Sequence, residues 1–347
     1  MGRITSLRDL LGLIKDKASI SKAALLSKPE AISIRLAVLR ATTHSPPIPP
    51  DDHRLTALLL LGHSSRATAS LIVTALMDRL HRTTNCVVAL KCLLIIHHII
   101  KRGPFILQDQ LSIFPASGGY NYLKLSAFRD GATAATWALS SWVRWYARYL
   151  ETLLGTSRVL GYFLCSSSCG VLKENQEQRI SSFLNVDLVK DIDSVVVQIE
   201  EICKAPDSLV VEDDMLVKEI MGLVLNDYLS SVNGILLRLG ELNERLSCLS
   251  FSDSVEIMCV LKRLSDCRER LSVLYVVKKP STEMMWGSVQ ELKDRVEMLK
   301  VYKEGGKLLS LWTHEKASES ARFERQVLGR SDSVQFHSGR FGINRCF

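Results

Sequence analysis

The chain has 347 residues, 47% hydrophobic and 23% charged, with only nine Pro and 19 Gly; that excludes a disordered or linker-dominated protein and allows a substantial core. Its net charge of +7 is unevenly placed. Residues 1–160 carry 20 Lys and Arg against 9 Asp and Glu, and the remainder carry 24 against 28; the basic first half either meets an anionic partner or is a scattered, solvated surface, and composition leaves both open.

Helical periodicity is nearly continuous and strand signals are scarce. Ile4, Leu7, Leu10, Leu11 and Ile14 recur at helical spacing with Arg3, Arg8 and Lys15 off that face, which predicts an N-terminal amphipathic helix. A helix over about 30–43 ends before Pro46-Pro47-Ile48-Pro49-Pro50, because proline lacks the amide a helix needs. Asp51-Asp52 start the next helix, where acidic groups favour the positive end of the dipole. Helices follow at about 52–62, 66–81 and 84–102, the last capped from Thr83-Thr84-Asn85 and stopped by Gly103-Pro104. Pro115 and Gly118-Gly119 mark a loop, and a tryptophan-rich helix runs from about 133 to 154. Residues 155–170 are poorer in pattern and read as a turn or excursion. Longer helices are expected over roughly 187–203, 213–247, 253–276 and 288–312, with Pro206 and Pro280 between them. The fold class is therefore all-α, an α-solenoid of short helices continuing into an elongated bundle of longer helices.

Nine cysteines include no Cys-x-x-Cys pair and lie mostly in apolar helical stretches, which reads as buried free thiols in a reducing compartment. The most apolar stretch, Val87 to Ile100, is broken by Lys91 and His97-His98 and is shorter than a membrane span. No segment is expected to cross a bilayer, and the charged N-terminus does not read as a secretory signal. No Gly-rich phosphate loop, Gly-x-Ser-x-Gly elbow or His-Glu-x-x-His occurs, so no catalytic residue, cofactor or metal is expected. His97 and His98 point about 100° apart on a helix and read as one buried and one exposed side chain. Trp137, Trp145 and Tyr149 fall near helical spacing and read as core packing or helix seams.

Several strings occur in the order found in one family. They are Arg40-Ala41-Thr42-Thr43-His44, Arg82-Thr83-Thr84-Asn85, Lys91 leading to His97-His98, and Arg144-Trp145-Tyr146-Ala147-Arg148-Tyr149-Leu150. Later come Met221-Gly222-Leu223-Val224-Leu225-Asn226-Asp227 and Arg268 to Tyr275. Over about residues 1–305 the chain resembles the ANTH domains, related to ENTH domains, of plant-type clathrin assembly proteins. The resemblance implies a right-handed solenoid, with 1–155 as the lipid-facing part and 156–305 as the remaining helical bundle; 306–347, where the helical pattern gives way to Arg, Ser and Gly, reads as a short, disordered tail. It also implies a phosphatidylinositol 4,5-bisphosphate site made by a first cation, a nine-residue gap, then a basic cluster closing in a histidine. Arg40 and His53 match its two ends, while Pro50, Asp51 and Asp52 replace the basic cluster. Basic residues beside an anionic leaflet contribute on the order of 1 kcal/mol each, so this departure predicts weakened lipid affinity. Arg35, Arg54, His63 and Arg66 lie near the same helix ends and offer a supporting basic patch. The segment Ile4 to Lys17 either packs on the solenoid, the preferred reading, or lays its apolar face in the interface.

Leu308-Leu309-Ser310-Leu311-Trp312 fits four positions of a clathrin box and lacks the acidic last one, and the end of the 288–312 helix is the preferred reading. Asp9-Leu10-Leu11 is a weaker motif inside the amphipathic helix. The expected partners are phosphoinositide membranes, clathrin, vesicle SNAREs and an adaptor complex, at coated pits, coated vesicles and the Golgi apparatus. No nucleic-acid motif is present. The alternative is a helical protein-interaction scaffold for SNARE or coat proteins with degenerate lipid binding.

Overall fold

The computed structural model describes residues 7–26, 29–113, 123–166, 176–207, 213–275, 280–299 and 304. Among these residues all regular secondary structure is helical, without strands. Residues 1–299 form one compact unit; 300–347 cluster separately and, apart from residue 304, lie outside the described residues.

The helices are α1 (Leu7–Leu26), α2 (Pro29–Ala41), α3 (Asp52–Leu61), α4 (Arg66–Arg82), α5 (Cys86–Arg102), α6 (Phe105–Ser112) and α7 (Ala134–Leu160). They continue as α8 (Gln176–Ser181), α9 (Asn185–Cys203), α10 (Met215–Glu244), α11 (Phe251–Asp266), α12 (Arg268–Leu274) and α13 (Pro280–Met298). Local chemistry sets several of these ends. The Asn85 side chain accepts from the amides of Val87 and Val88, capping α5, and Thr133 with Thr136 forms a capping box on α7. Gly161 closes α7 in the left-handed region at φ 79°, where its missing Cβ removes the strain.

Three boundaries and one side-chain placement differ from expectation. α7 continues past Gly155 because Leu153, Leu154, Thr156 and Leu160 are buried where it packs along α9; the position expected to divide the two parts of the domain thus lies inside a helix. The 253–276 helix is broken at Cys267 into α11 and α12. α13 starts at Pro280, a residue suited to a first helical position. Trp137 is exposed, not core: it sits in the first turn of α7 with the Arg129 guanidinium over its ring, while Trp142 and Trp145 are buried.

Neighbouring helices stack in chain order. α2 packs on α1, α3 and α4; α4 on α5 and α6; α5 on α7; α7 on α9; and α9 on α10 and α11. α10 is long and apolar enough to cross a membrane by length and composition. It is nevertheless a core helix, burying Leu216, Ile220, Val224, Tyr228 and Val232 as well as Asp227 and Arg238.

Asp227 joins the early helices to the late ones. Its carboxylate accepts from the half-buried Lys101 Nζ at 2.7 Å and from the buried Tyr149 Oη at 2.7 Å and His97 Nε2 at 2.6 Å, on α5 and α7. Burial opposes the charge, but His97 and Lys101 outweigh it and hold the carboxyl below its usual range. Because an ionised carboxylate only accepts, Nε2 carries the hydrogen, leaving His97 Nδ1 for Tyr146 Oη at 2.7 Å. A second buried pair, Arg238 to Asp191 at 2.7 Å, ties α10 to α9. Asp227→Ala strands the Lys101 ammonium and the His97 and Tyr149 donors and is expected to cost about 3–5 kcal/mol. Tyr149→Phe removes one hydrogen bond and should cost about 1 kcal/mol; urea unfolding followed by circular dichroism measures both.

Candidate functional site

The stretch from Arg40 to Arg54 is held from three sides. At the end of α2, Thr42 turns its amide and hydroxyl onto Val38 O, at 3.0 and 2.7 Å. Beneath the loop, Lys91 of α5 donates from Nζ to Thr43 O at 3.0 Å and Pro46 O at 2.8 Å. Burial lowers this ammonium to about 8. From the side, Asp16 of α1 accepts from the His44 amide at 2.9 Å and lies 2.6 Å from His44 Nδ1. Arg79 of α4 reaches the same carboxylate at 3.2 Å and Thr42 O at 3.1 Å. Burial works against the Asp16 charge, but the His44 hydrogen bonds and Arg79 keep its carboxyl below the usual range. The approach of α1 is close: a Cβ on Gly12 would lie 2.8 Å from His44 Cβ.

Arg40, His53 and Arg54 come together at the junction of α2 and α3. All three are exposed, and Arg54 Nη1 donates to Arg40 O at 2.7 Å, drawing the start of α3 to the end of α2. Arg35, also exposed, lies five residues before Arg40 on α2. His63 and Arg66 are not part of this group. They follow the far end of the ten-residue α3, about 15 Å along its axis, where Arg66 pairs with Asp109 of α6 at 2.9 Å. The two acidic residues have partners of their own. Asp51 caps α3 by accepting from the His53 amide, and Asp52 pairs with Arg102 of α5 at 2.5 Å, which holds its carboxyl below the usual range. Leu308, Leu309 and Leu311 lie outside the described residues.

α1 presents an apolar face to solvent as well as docking by its polar one. Leu11 and Ile14 are 57% and 55% exposed, and Leu10, Ala18 and Leu25 are exposed with them. At 100° per residue these five fall within an arc of about 100°. Exposed Lys15 and Lys22 border one side of it and Lys17 the other, and buried Gly12 and Asp16 face the opposite way. The Asp9-Leu10-Leu11 motif is therefore helical.

Behind the loop lies a cavity of about 520 Å³, lined by Pro50, Asp52, His98, Lys101, Arg102 and Glu219 among others. Its cations already have partners: Arg102 holds Asp52 and Lys101 holds Asp227. Burial and the neighbouring Arg102 push His98 down to about 4, so its imidazole is neutral near pH 7. Among the described residues no cluster of His, Cys, Asp and Glu suits a metal ion.

A model of the ANTH domain matches residues 33–281. The chain belongs to the ANTH family. It is 50% identical to "Putative clathrin assembly protein At4g40080" of Arabidopsis thaliana, over 98% of this chain and 96% of that protein. It is 33% identical to "Putative clathrin assembly protein At5g10410" of the same plant, over 83% of this chain and 85% of the relative. A third Arabidopsis relative, "Putative clathrin assembly protein At5g65370", is 31% identical over 85% of this chain and its own full length. α1 precedes the matched ANTH region altogether.

Residue reading missed Asp16, Arg79 and Arg102 as organisers of this ANTH site, because their partners are remote in the chain. Only the family order of Lys91 and His97-His98 pointed at α5. Asp16→Ala should release α1, with hydrogen exchange of residues 10–25 rising while α5 and α7 stay protected. Its cost is expected on the order of 1–3 kcal/mol. His98 gives a pH signature. Its folded pKa lies below the unfolded 6.5, so its contribution is fully present above 6.5 and is lost as pH falls towards 4. That contribution is at most about 3 kcal/mol. Urea midpoints at pH 7 and pH 4.5 should converge more closely in His98→Gln than in the wild type.

Proposed function

We propose that this ANTH protein is a clathrin-assembly adaptor that attaches to phosphoinositide membranes, phosphatidylinositol 4,5-bisphosphate in particular. The same adaptor recruits clathrin, vesicle SNAREs and adaptor complexes in clathrin-dependent endocytosis, at coated pits, coated vesicles and the Golgi apparatus. Family membership and the 50% identical relative, whose name is that of a clathrin assembly protein, support the adaptor role. The membrane reading rests chiefly on one observation: an outward apolar stripe on α1, edged by lysines, beside exposed Arg40, His53 and Arg54. Such a helix is suited to lie in an interface, with apolar side chains among acyl chains and ammonium groups at phosphate depth. Arg40 and Arg54 add charge that multi-phosphate headgroups attract. In this arrangement α1 need not leave the domain, because Asp16 holds it by the face turned away from the lipid.

A second reading, a protein-interaction scaffold with degenerate lipid binding, is favoured by Asp51 and Asp52 standing where the family pattern has cations. Co-sedimentation with vesicles, with and without phosphatidylinositol 4,5-bisphosphate, separates the two. The wild type should pellet preferentially with the phosphoinositide, Arg40→Ala/His53→Ala should bind several-fold more weakly, and Leu11→Ser/Ile14→Ser should bind weakly to every anionic vesicle. Equal pelleting of wild type and Arg40→Ala/His53→Ala removes those two as ligands. Capture of SNARE cytoplasmic segments without any vesicle affinity favours the scaffold.

A further inference from the structure

A second cationic surface lies at the turn between α4 and α5. The last turn of α4 carries Arg79, His81 and Arg82. Arg79 points inward to Asp16 and Thr42, whereas His81 and Arg82 are exposed. Residues 123–133 fold over this turn: Asp130 accepts from the Cys86 amide at 3.0 Å, and His81 is hydrogen-bonded to the Leu123 backbone. Lys124, in the left-handed region at φ 57°, is exposed close enough to His81 that its charge and burial together lower the imidazole's pKa. Arg129 follows, its guanidinium 5.9 Å from the centroid of the Trp137 ring. Trp137 is 57% exposed, although Trp142, Trp145 and Trp286 are all buried.

The carboxylates beside Arg82 and Arg129 do not cancel their charge, and Glu151, the one nearest Lys124, is turned onto the Leu123 amide at 2.8 Å. Asp130 is buried and turned onto the Cys86 and Ala132 amides, and Asp78 stands 4.0 Å from Arg82 in a solvent-exposed pair, where such pairs are weak. The turn also lies beside the start of the loop after α2, because Arg79, three residues before Arg82, is bonded to Thr42 O at 3.1 Å. Cations beside an indole with one polar edge match the depth profile of a headgroup layer, phosphate outside and apolar carbon beneath.

We propose that Arg82, Lys124, Arg129 and Trp137 form a second contact with an anionic lipid bilayer, in which Trp137 seats at the headgroup level and the three cations meet lipid phosphates. This rests on the membrane reading above, extends it to residues outside the Arg40–His53 pattern, and fixes the domain's tilt on the membrane by adding a contact away from α1.

The test uses the full chain and vesicles of brominated phosphatidylcholine containing phosphatidylserine, with and without phosphatidylinositol 4,5-bisphosphate. Bound wild type should lose part of its tryptophan emission to bromine quenching, and Trp137→Phe should lack that part. Arg82→Gln/Lys124→Gln/Arg129→Gln should bind at least about tenfold more weakly, with an unchanged helical circular dichroism spectrum. Should that triple variant misfold, the conservative Trp137→Phe comparison still decides. Wild-type quenching retained in full by Trp137→Phe overturns the proposal. So does unchanged vesicle affinity of the folded triple variant, or loss only of its affinity for polyglutamate, which would make the surface an acidic-peptide site. If in either case vesicle binding still depends on Arg40 and His53, the adaptor reading stands and this contact alone falls. Failure of the wild type to bind any anionic vesicle overturns both.

Discussion

One carboxylate, Asp227, sets the rotation of α5, and most of the site follows from that rotation. His97 and Lys101 are one turn apart on α5 and both reach Asp227. With that side fixed against α10, a 100° step per residue puts Lys91, His98 and Arg102 together on a different side. This second side is the one the loop runs along. Lys91 takes the carbonyls of Thr43 and Pro46, Arg102 takes Asp52, and His98 lines the cavity between them. A buried ion cluster is a poor source of net stability, but it is demanding about geometry, since a misplaced partner leaves a charge in the core. Here that demand is transmitted through one helix to a surface loop.

The acidic pair at the start of α3 looks, in sequence, like a subtraction from a cationic site. In the structure each residue has local work. Asp51 supplies an oxygen to an otherwise unpaired amide at the helix start, and Asp52 pins the tip of α5. The charge left facing outward belongs to Arg40 and Arg54, with Lys15 on α1. Arg102 is the cation most affected, since it is occupied by Asp52 rather than open to a phosphate.

The all-α class and most helix limits were legible because they are local: a proline run, the Asn85 cap, the Thr133 turn and helical apolar spacing each act within a few residues. What failed was set at long range. α7 outruns its own pattern because α9 buries its last turns, and α6, eight residues after Gly103-Pro104, is too short to show a period. Asp16 meets partners 28 and 63 residues away, a distance at which no spacing rule operates. The strings that carried the family resemblance also contain much of the buried polar framework: Thr42 and His44, Lys91 and His97, Tyr146 and Tyr149, and Asp227. They identified the domain because they hold it together, and for that reason they said little about which side chains face a partner.

The way α1 is fastened bears on what its other side is for. A helix added to a domain for stability ordinarily docks its apolar stripe, since apolar area removed from water contributes roughly 25 cal/mol per Å². α1 does the reverse over its middle turns, docking through a carboxylate and a glycine while Leu11 and Ile14 remain in water. Directional hydrogen bonds to His44 and Arg79 fix its angle on the domain, so the stripe is held outward. Two lysines on one flank and one on the other complete a profile that an aqueous surface does not reward and an anionic interface does. Helix, loop and the α4–α5 turn are linked through Asp16, Thr42 and Arg79, so their outward faces are carried on one rigid support.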